Sequence, residues 1–130
     1  MKAPTALIAI SYFAHLVCGE VGPAAVYKPP YRPNKCYGWS EDAFPSTKMF
    51  AAAGQTIWDN GAACGRWYQI RCMSPGIGSR CTGKTITVRI VEGKPGFRSP
   101  VFSLSQTAGA ELYTGTGRVQ VEYHQVSSGR

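Results

Sequence analysis

The sequence predicts one mainly β domain, either a small barrel or a sandwich, and three observations support this. The chain of 130 residues contains 15 glycines and 9 prolines but only 16% charged residues, which is typical of a domain rich in turns. Short segments with strand-like patterns recur along it, each bounded by turn residues. A long helical period is missing, so one or two brief helices are expected at most.

The N-terminal segment has the pattern of a secretory signal peptide. Lys2 precedes an apolar run over residues 6–17, and small residues follow it up to Gly19. The run is too short to span a bilayer as a helix. We therefore assign residues 1–19 to a signal peptide and residues 20–130 to a secreted, extracellular domain without membrane insertion.

Removal of this segment changes the cysteine count and the charge. The loss of Cys18 turns five cysteines into four, which predicts two disulfides with three possible pairings among Cys36, Cys64, Cys72 and Cys81. Because no Cys-x-x-Cys occurs and one His remains, neither a metal site nor a cofactor is expected. One lysine is also lost, and the formal charge falls from +7 to +6. A positive charge of this size favours acidic partners such as pectin, anionic lipid or phosphate groups. The alternative interpretation is that the charge only keeps the protein soluble.

The first half of the domain holds one strand, one long loop, one ambiguous segment and one helical turn, at residues 24–28, 31–46, 47–53 and 54–58. Pro29-Pro30 ends the strand, and Cys36 tethers the loop. The ambiguous segment is too short for periodicity to separate strand from helix. The helical turn is expected to stop at Asn60-Gly61, since both residues tolerate positive φ.

The second half contains the clearest strand patterns, at residues 66–72, 84–91, 101–104 and 118–126. In the first of these, Trp67 and Arg71 share one face, and Tyr68 lies on the other. Ser105 is typical of an N-cap for a short helix over residues 106–113, although Gly109 weakens that helix.

One motif resembles a phosphate-binding loop but has the wrong context. Residues 78–85 match G-x-x-x-x-G-K-[ST] letter for letter. That loop must lead into a helix whose N-terminal amides receive the phosphates, whereas here a β-branched strand follows. The motif also contains Cys81, an expected disulfide partner. Nucleotide hydrolysis is therefore not expected.

Few carboxylates are available for catalysis. Asp59 and Glu92 are the best candidates for the acid pair that glycoside hydrolysis usually requires, since both lie in Gly-rich turns. Asp59 before Asn60-Gly61 is, however, more typical of a residue that bonds its own backbone. His124 faces outward among polar neighbours and completes no Ser-His-Asp set. Glycan cleavage by Asp59 is a third hypothesis, behind two binding functions.

Aromatic side chains are the other resource for binding. The candidate partner-binding residues are Tyr27, Tyr31, Tyr37, Trp39 and Asp59. We expect Tyr27, Tyr31 and Trp39 to be exposed, where rings stack on sugars or anchor interfaces, and Phe50 and Trp58 to lie in the core. A nucleic-acid platform would use the same rings, but the expected secretion argues against one.

Seven segments together resemble the plant natriuretic peptide-like proteins: residues 27–31, 36–38, 49–53, 58–65, 68–72, 85–91 and 121–126. These proteins are single-domain relatives of barwin, of family-45 endoglucanases and of the first domain of expansins. The resemblance implies a six-stranded double-psi β-barrel with one or two short helices and two disulfides. It also implies the pairings Cys36 with Cys64 and Cys72 with Cys81.

The resemblance also indicates what this chain lacks. The position of the catalytic Asp of family-45 endoglucanases and barrel-type lytic transglycosylases reads Ser103, and a hydroxyl cannot act as a general acid near neutral pH. We therefore expect a protein that is not an enzyme. Relatives carry Asp-Tyr-Cys-Pro where residues 92–95 read Glu-Gly-Lys-Pro, so a third disulfide is absent and the loop over residues 92–100 should be more mobile.

The implied function is that of a secreted signal or pathogen effector in the plant apoplast. It would act on water and ion balance through a cell-surface receptor, with residues 36–64 carrying the signal. The alternative is an expansin-like module that binds cell-wall polysaccharide through Tyr27, Tyr31 and Trp39. We expect a monomer in either case.

Overall fold

The computed structural model describes residues 19–129. The signal-peptide prediction therefore falls, except for Gly19, outside the described residues. The elements in order are β1 (Glu20–Val26), β2 (Phe50–Ala53), α1 (Gln55–Trp58), β3 (Trp67–Ser74), β4 (Ser79–Cys81), β5 (Thr85–Gly93), β6 (Phe102–Leu104), α2 (Gln106–Leu112), β7 (Tyr113–Gly115) and β8 (Val119–Val126). Among these residues, no helix has the length and apolar character needed to cross a membrane.

Six of the strands close into a barrel in the order β1-β6-β2-β5-β3-β8, which confirms the predicted six-stranded barrel. The pairs β1–β6 and β2–β5 are parallel, and the other pairs are antiparallel. The ambiguous segment before α1 resolves as strand β2. Strands β4 and β7 form a separate ribbon that the sequence did not predict, because three-residue strands are too short to show a period.

The barrel interior is filled by the alternate residues of its strands. Ile70, Val88 and Ile90 are fully buried, as the period of two predicts. At the centre, the ring of Phe102 lies 5.2 Å from that of Tyr68 and 5.1 Å from that of Tyr123 between centroids, both edge to face. These aromatic contacts fix one inward face for each of three strands.

Helix α2 begins as predicted at its cap. The Ser105 hydroxyl oxygen accepts a hydrogen bond from the Ala108 amide at 3.1 Å and donates one to the Lys48 carbonyl at 2.8 Å. Gly109 was expected to weaken this helix, but the packing requires it. A Cβ at that position would lie only 2.3 Å from Cγ2 of Val26, so glycine lets α2 pack against β1.

Both disulfide pairings implied by the resemblance are confirmed. Cys36 bonds Cys64 across a sequence separation of 28, and Cys72 bonds Cys81 across a separation of 9. The first ties the long β1–β2 loop to the turn after α1, and the second joins β3 to β4. The first bridge therefore closes the larger loop of chain.

Candidate functional site

One groove on the described surface lies where α1 meets the ends of β3 and β8. Its volume is about 780 Å³. We call it the α1 groove, and the side chains that define it are Gln55, Trp58, Asp59, Arg66, Tyr68 and Tyr123. It combines rings with charged and hydroxyl groups, which is the mixture that a hydroxyl-rich ligand requires.

Trp58 forms one wall of this groove. The sequence predicted a core position, which is wrong in part, because the indole is half-buried. The six-membered ring of the indole lies against Gly93, where a Cβ would lie 2.4 Å from two ring carbons. The absence of a side chain at Gly93 therefore leaves room for the indole at the end of β5, and Trp58 also lines the groove.

Asp59 is held at the rim of the groove by an unusual backbone. Asp59 and Asn60 both adopt left-handed conformations, with φ of 54° and 52°, which these residue types tolerate better than most. The Asp59 carbonyl accepts the Ala62 amide at 2.9 Å, so the predicted turn is present. The carboxylate does not make the backbone bond that was expected. Its Oδ2 accepts from Nη2 of Arg66 at 2.8 Å instead.

Two further groups make the groove polar. The hydrogen bond to Asp59 is the main cause that raises the pKa of Arg66. The Tyr123 hydroxyl donates to Oε1 of Glu20 at 3.3 Å. Burial, with a smaller contribution from the negative charge of Glu20, raises the pKa of Tyr123 to about 12. The groove thus offers fixed donors and acceptors at neutral pH.

A second feature is a row of residues across four barrel strands. Strand register aligns Ala25 with Ser103, Ser103 with Ala52 and Ala52 with Glu92, so these residues share the outer face. Ser103 is only 8% exposed. Oε1 of Glu92 accepts from the amides of Lys35 and Gly93, both at 2.8 Å. This row provides a single carboxylate, whereas glycoside hydrolysis usually requires two.

Tyr27 and Tyr31 are half-buried rather than exposed as expected. Nζ of Lys94 lies 5.1 Å from the ring centroid of Tyr27, whose hydroxyl is buried and makes no hydrogen bond within residues 19–129. The Tyr31 hydroxyl donates to the Tyr27 carbonyl at 3.2 Å and accepts from the Gln106 amide at 3.1 Å. Its ring lies 4.8 Å from that of Phe50. The pair therefore helps to fix the β1–β2 loop.

Tyr37 and Trp39 occupy other positions in the same loop. Tyr37 borders a second groove of about 440 Å³ together with Arg66 and Arg89. Trp39 is 69% exposed, as predicted, and borders neither groove. The structure therefore does not bring the five candidate binding residues together, since only Asp59 lies in the α1 groove.

Sequence reasoning missed Trp58 and Arg66 as groove residues. An indole beside a carboxylate in a Gly-rich turn was a usable signal for Trp58. The Arg66–Asp59 pair spans the turn and could not be read from spacing alone.

Comparison with known proteins identifies relatives of this barrel. Residues 50–123 match the double-psi β-barrel family model described as lytic transglycolase. The chain is 30% identical over 122 residues to an EG45-like domain containing protein of Citrus jambhiri, covering 91% of this chain and 90% of the relative. It is 34% identical over 100 residues to expansin-B2 of Arabidopsis thaliana, covering 69% of this chain and 36% of that protein.

Solved structures show the same fold at lower identity. An expansin of Clavibacter michiganensis, a point mutant in complex with cellohexaose, matches with a TM-score of 0.62 and 19% identity over 85% of this chain and 51% of the expansin. This chain thus spans about half of that protein. A Streptomyces papain inhibitor matches with a TM-score of 0.51 and 19% identity, covering 82% of this chain and 96% of the inhibitor. These likenesses confirm the predicted double-psi β-barrel.

Proposed function

The chain belongs to the EG45-like and expansin-like family of double-psi β-barrel domains, and we propose that it binds a plant cell-wall polysaccharide without cleaving it. The observation that carries this proposal is the half-buried indole of Trp58, held against Gly93 at the wall of the α1 groove. A fixed aromatic face stacks on the apolar face of a sugar ring at little entropic cost.

The groups around Trp58 suit the hydroxyls of a sugar. Asp59 and Arg66 form an ion pair at 2.8 Å, with side chains 62% and 27% exposed, so both retain free hydrogen-bonding capacity toward a ligand. The groove volume of about 780 Å³ accommodates a few sugar units. A related expansin binds cellohexaose, which supports a β-linked glucan as the probe.

Binding without cleavage is supported by the surroundings of the carboxylates. Ser103 stands at the catalytic position that the resemblance indicates, between Ala25 and Ala52. Asp59 is paired with Arg66, whereas a general acid needs an apolar environment that keeps it protonated. Secretion into the plant apoplast as a monomer is part of the proposal, and the two disulfides support an oxidising compartment.

Co-sedimentation with cellulose, chitin and pectin tests this function. Trp58→Ala should weaken binding to the preferred polymer by about tenfold, because the loss of a stacked aromatic contact costs on the order of 1 kcal/mol and tenfold corresponds to about 1.4 kcal/mol. Trp39→Ala removes an exposed ring outside the groove and should leave binding unchanged. Trp58→Phe keeps an aromatic ring but lacks the outer ring of the indole that meets Gly93, and should retain only part of the affinity.

Two results would contradict the proposal. One is equal binding by wild type and by a Trp58→Ala variant whose circular dichroism spectrum shows that it is folded. The other is release of reducing ends from any of these polymers that disappears in Asp59→Ala, since this would show cleavage.

Natriuretic peptide-like signalling is a second candidate. It is supported by the Cys36–Cys64 bridge, which holds a loop that presents Trp39 at 69% exposure to a receptor. In a protoplast-swelling assay, Trp39→Ala should reduce the response without unfolding the barrel. No swelling with correctly oxidised wild type would exclude this function.

A further inference from the structure

Two large apolar side chains project into solvent from loops that are distant in sequence from α1. Ile77, in the turn between β3 and β4, is fully exposed, and Phe97, in the loop between β5 and β6, is 90% exposed. Each exposure keeps an apolar side chain in contact with water, which is unfavourable. Neighbouring exposed apolar groups of this kind mark interaction sites.

The loop between β7 and β8 joins these two tips. Nη2 of Arg118 donates to the Arg98 carbonyl at 2.9 Å, which links it to the loop of Phe97. A Cβ on Gly76 would lie 2.5 Å from the Arg118 carbonyl oxygen, so the turn of Ile77 packs directly on Arg118. We call residues 75–78, 96–98 and 116–118 the loop-tip surface.

The chain segments that carry the loop-tip surface contain cations but no acids. Residues 73–84, 93–100 and 113–120 contain no Asp or Glu. Arg80, Arg98 and Arg118, which lie in these segments, form no ion pair within residues 19–129. The Arg98 guanidinium lies 5.2 Å from the ring centroid of Phe97, so a cation sits beside the exposed ring.

We propose that the loop-tip surface docks on an anionic lipid bilayer. Protruding apolar tips enter the boundary between headgroups and acyl chains, and the arginines beside them contact the phosphates and carboxylates of the headgroups. Both apolar side chains lie almost wholly in solvent, whereas a polysaccharide site is a groove with polar groups along it. The attachment is peripheral and uses three loops, independently of the glycan function proposed for the α1 groove.

Vesicle flotation with the full domain tests this proposal. The protein should float with vesicles of mixed phosphatidylcholine and phosphatidylserine, remain unbound with phosphatidylcholine alone, and be released by high salt. The double variant Ile77→Ser/Phe97→Ser should bind the mixed vesicles at least about tenfold more weakly, because it removes both apolar tips. Trp39→Ser is the matched control, an exposed aromatic residue in another loop, and should bind like wild type.

Folding does not confound this test, because both substituted side chains are exposed and the thermal midpoint of the double variant should equal that of wild type. Failure of wild type to bind mixed vesicles would overturn the proposal, as would equal binding by the double variant. Binding to polygalacturonate that Arg98→Gln/Arg118→Gln abolishes, without any vesicle binding, would assign the surface to an acidic polymer instead.

Discussion

Two loops of the barrel, β1–β2 and β5–β6, differ in how they are anchored. The β1–β2 loop, residues 27–49, is fixed by the Cys36–Cys64 bridge and by a hydrogen bond from Nη1 of Arg89 to the Ala43 carbonyl at 3.1 Å. The β5–β6 loop, residues 94–101, has no disulfide and is held by backbone bonds and short polar contacts. The first loop turns most of its rings inward, whereas the second exposes Phe97.

A chain of ring contacts explains the inward rings. Tyr27 and Tyr31 lie 4.9 Å apart, Tyr31 lies 4.8 Å from Phe50, and Phe44 lies 4.7 Å from Phe50. Each ring gains apolar contact with its neighbours, so these loop aromatics belong to the structure of the loop. The rings that pack on Phe50 are therefore held within the β1–β2 loop, whereas Trp39 in the same loop and Phe97 in the other remain exposed.

The largest expected effect follows from removing these anchors. The Cys36→Ser/Cys64→Ser variant should lose about 3.5 kcal/mol of unfolding free energy, and Cys72→Ser/Cys81→Ser about 2.5 kcal/mol, because the first bridge closes the longer loop. Urea unfolding of the two variants measures the difference. A greater loss in the second variant would show that the long loop is not the region that the disulfide stabilises most.

A smaller effect is expected from the hydroxyl of Tyr31. Tyr31→Phe keeps the ring against Phe50 but leaves the Tyr27 carbonyl and the Gln106 amide without that partner. We expect a loss of about 1 kcal/mol in unfolding free energy. Tyr37→Phe in the same loop is the control, because within residues 19–129 Tyr37 forms a side-chain-dependent hydrogen bond through its backbone amide only, to Asn34, and this bond is kept. Equal stability of Tyr31→Phe and wild type would contradict this role.

The β1–β2 loop should also respond to alkaline pH. Burial, and then the negative charge of Glu92, raise the pKa of Tyr27 above its usual value. Because the folded state holds the neutral phenol, its stability is complete below about pH 10, the unfolded pKa, and falls as pH rises above it. Unfolding free energies at about pH 9 and about pH 10.5 should differ less in Tyr27→Phe than in wild type. If the unfolding free energy of Tyr27→Phe depends on pH as strongly as that of wild type, a group other than Tyr27 causes the loss of stability.

The smallest effect is expected in the β5–β6 loop. Phe97→Ala should change the unfolding free energy by less than about 0.5 kcal/mol, because the ring is 90% exposed and few contacts are lost. Thermal unfolding of this variant beside Phe50→Ala, which removes a ring that is only 3% exposed, checks the contrast. A large loss in Phe97→Ala would mean that the loop packs against the barrel.

The sequence alone predicts an element correctly where the local pattern of residues and the tertiary structure agree. The period of two in β3 and β5 and the cap at Ser105 depend on neighbours in the chain, and the structure confirms them. The burial of Tyr31 depends on Phe50, which lies on another strand. Trp58 likewise became a groove wall because Gly93, distant in sequence, leaves room for its ring. Such contacts cannot be read from local composition.

Backbone and side-chain NMR during titration with cellohexaose tests the central claim most directly. The chain has 3 tryptophans, Trp39, Trp58 and Trp67, so three indole Nε1–H signals report three separate surfaces. We predict a saturable shift of the Trp58 signal and of the amide signals of Asp59 and Arg66, while the Trp39 signal stays in place. A shift confined to Trp39, or saturable binding that leaves the Trp58 signal unmoved, would contradict the α1 groove as the glycan site.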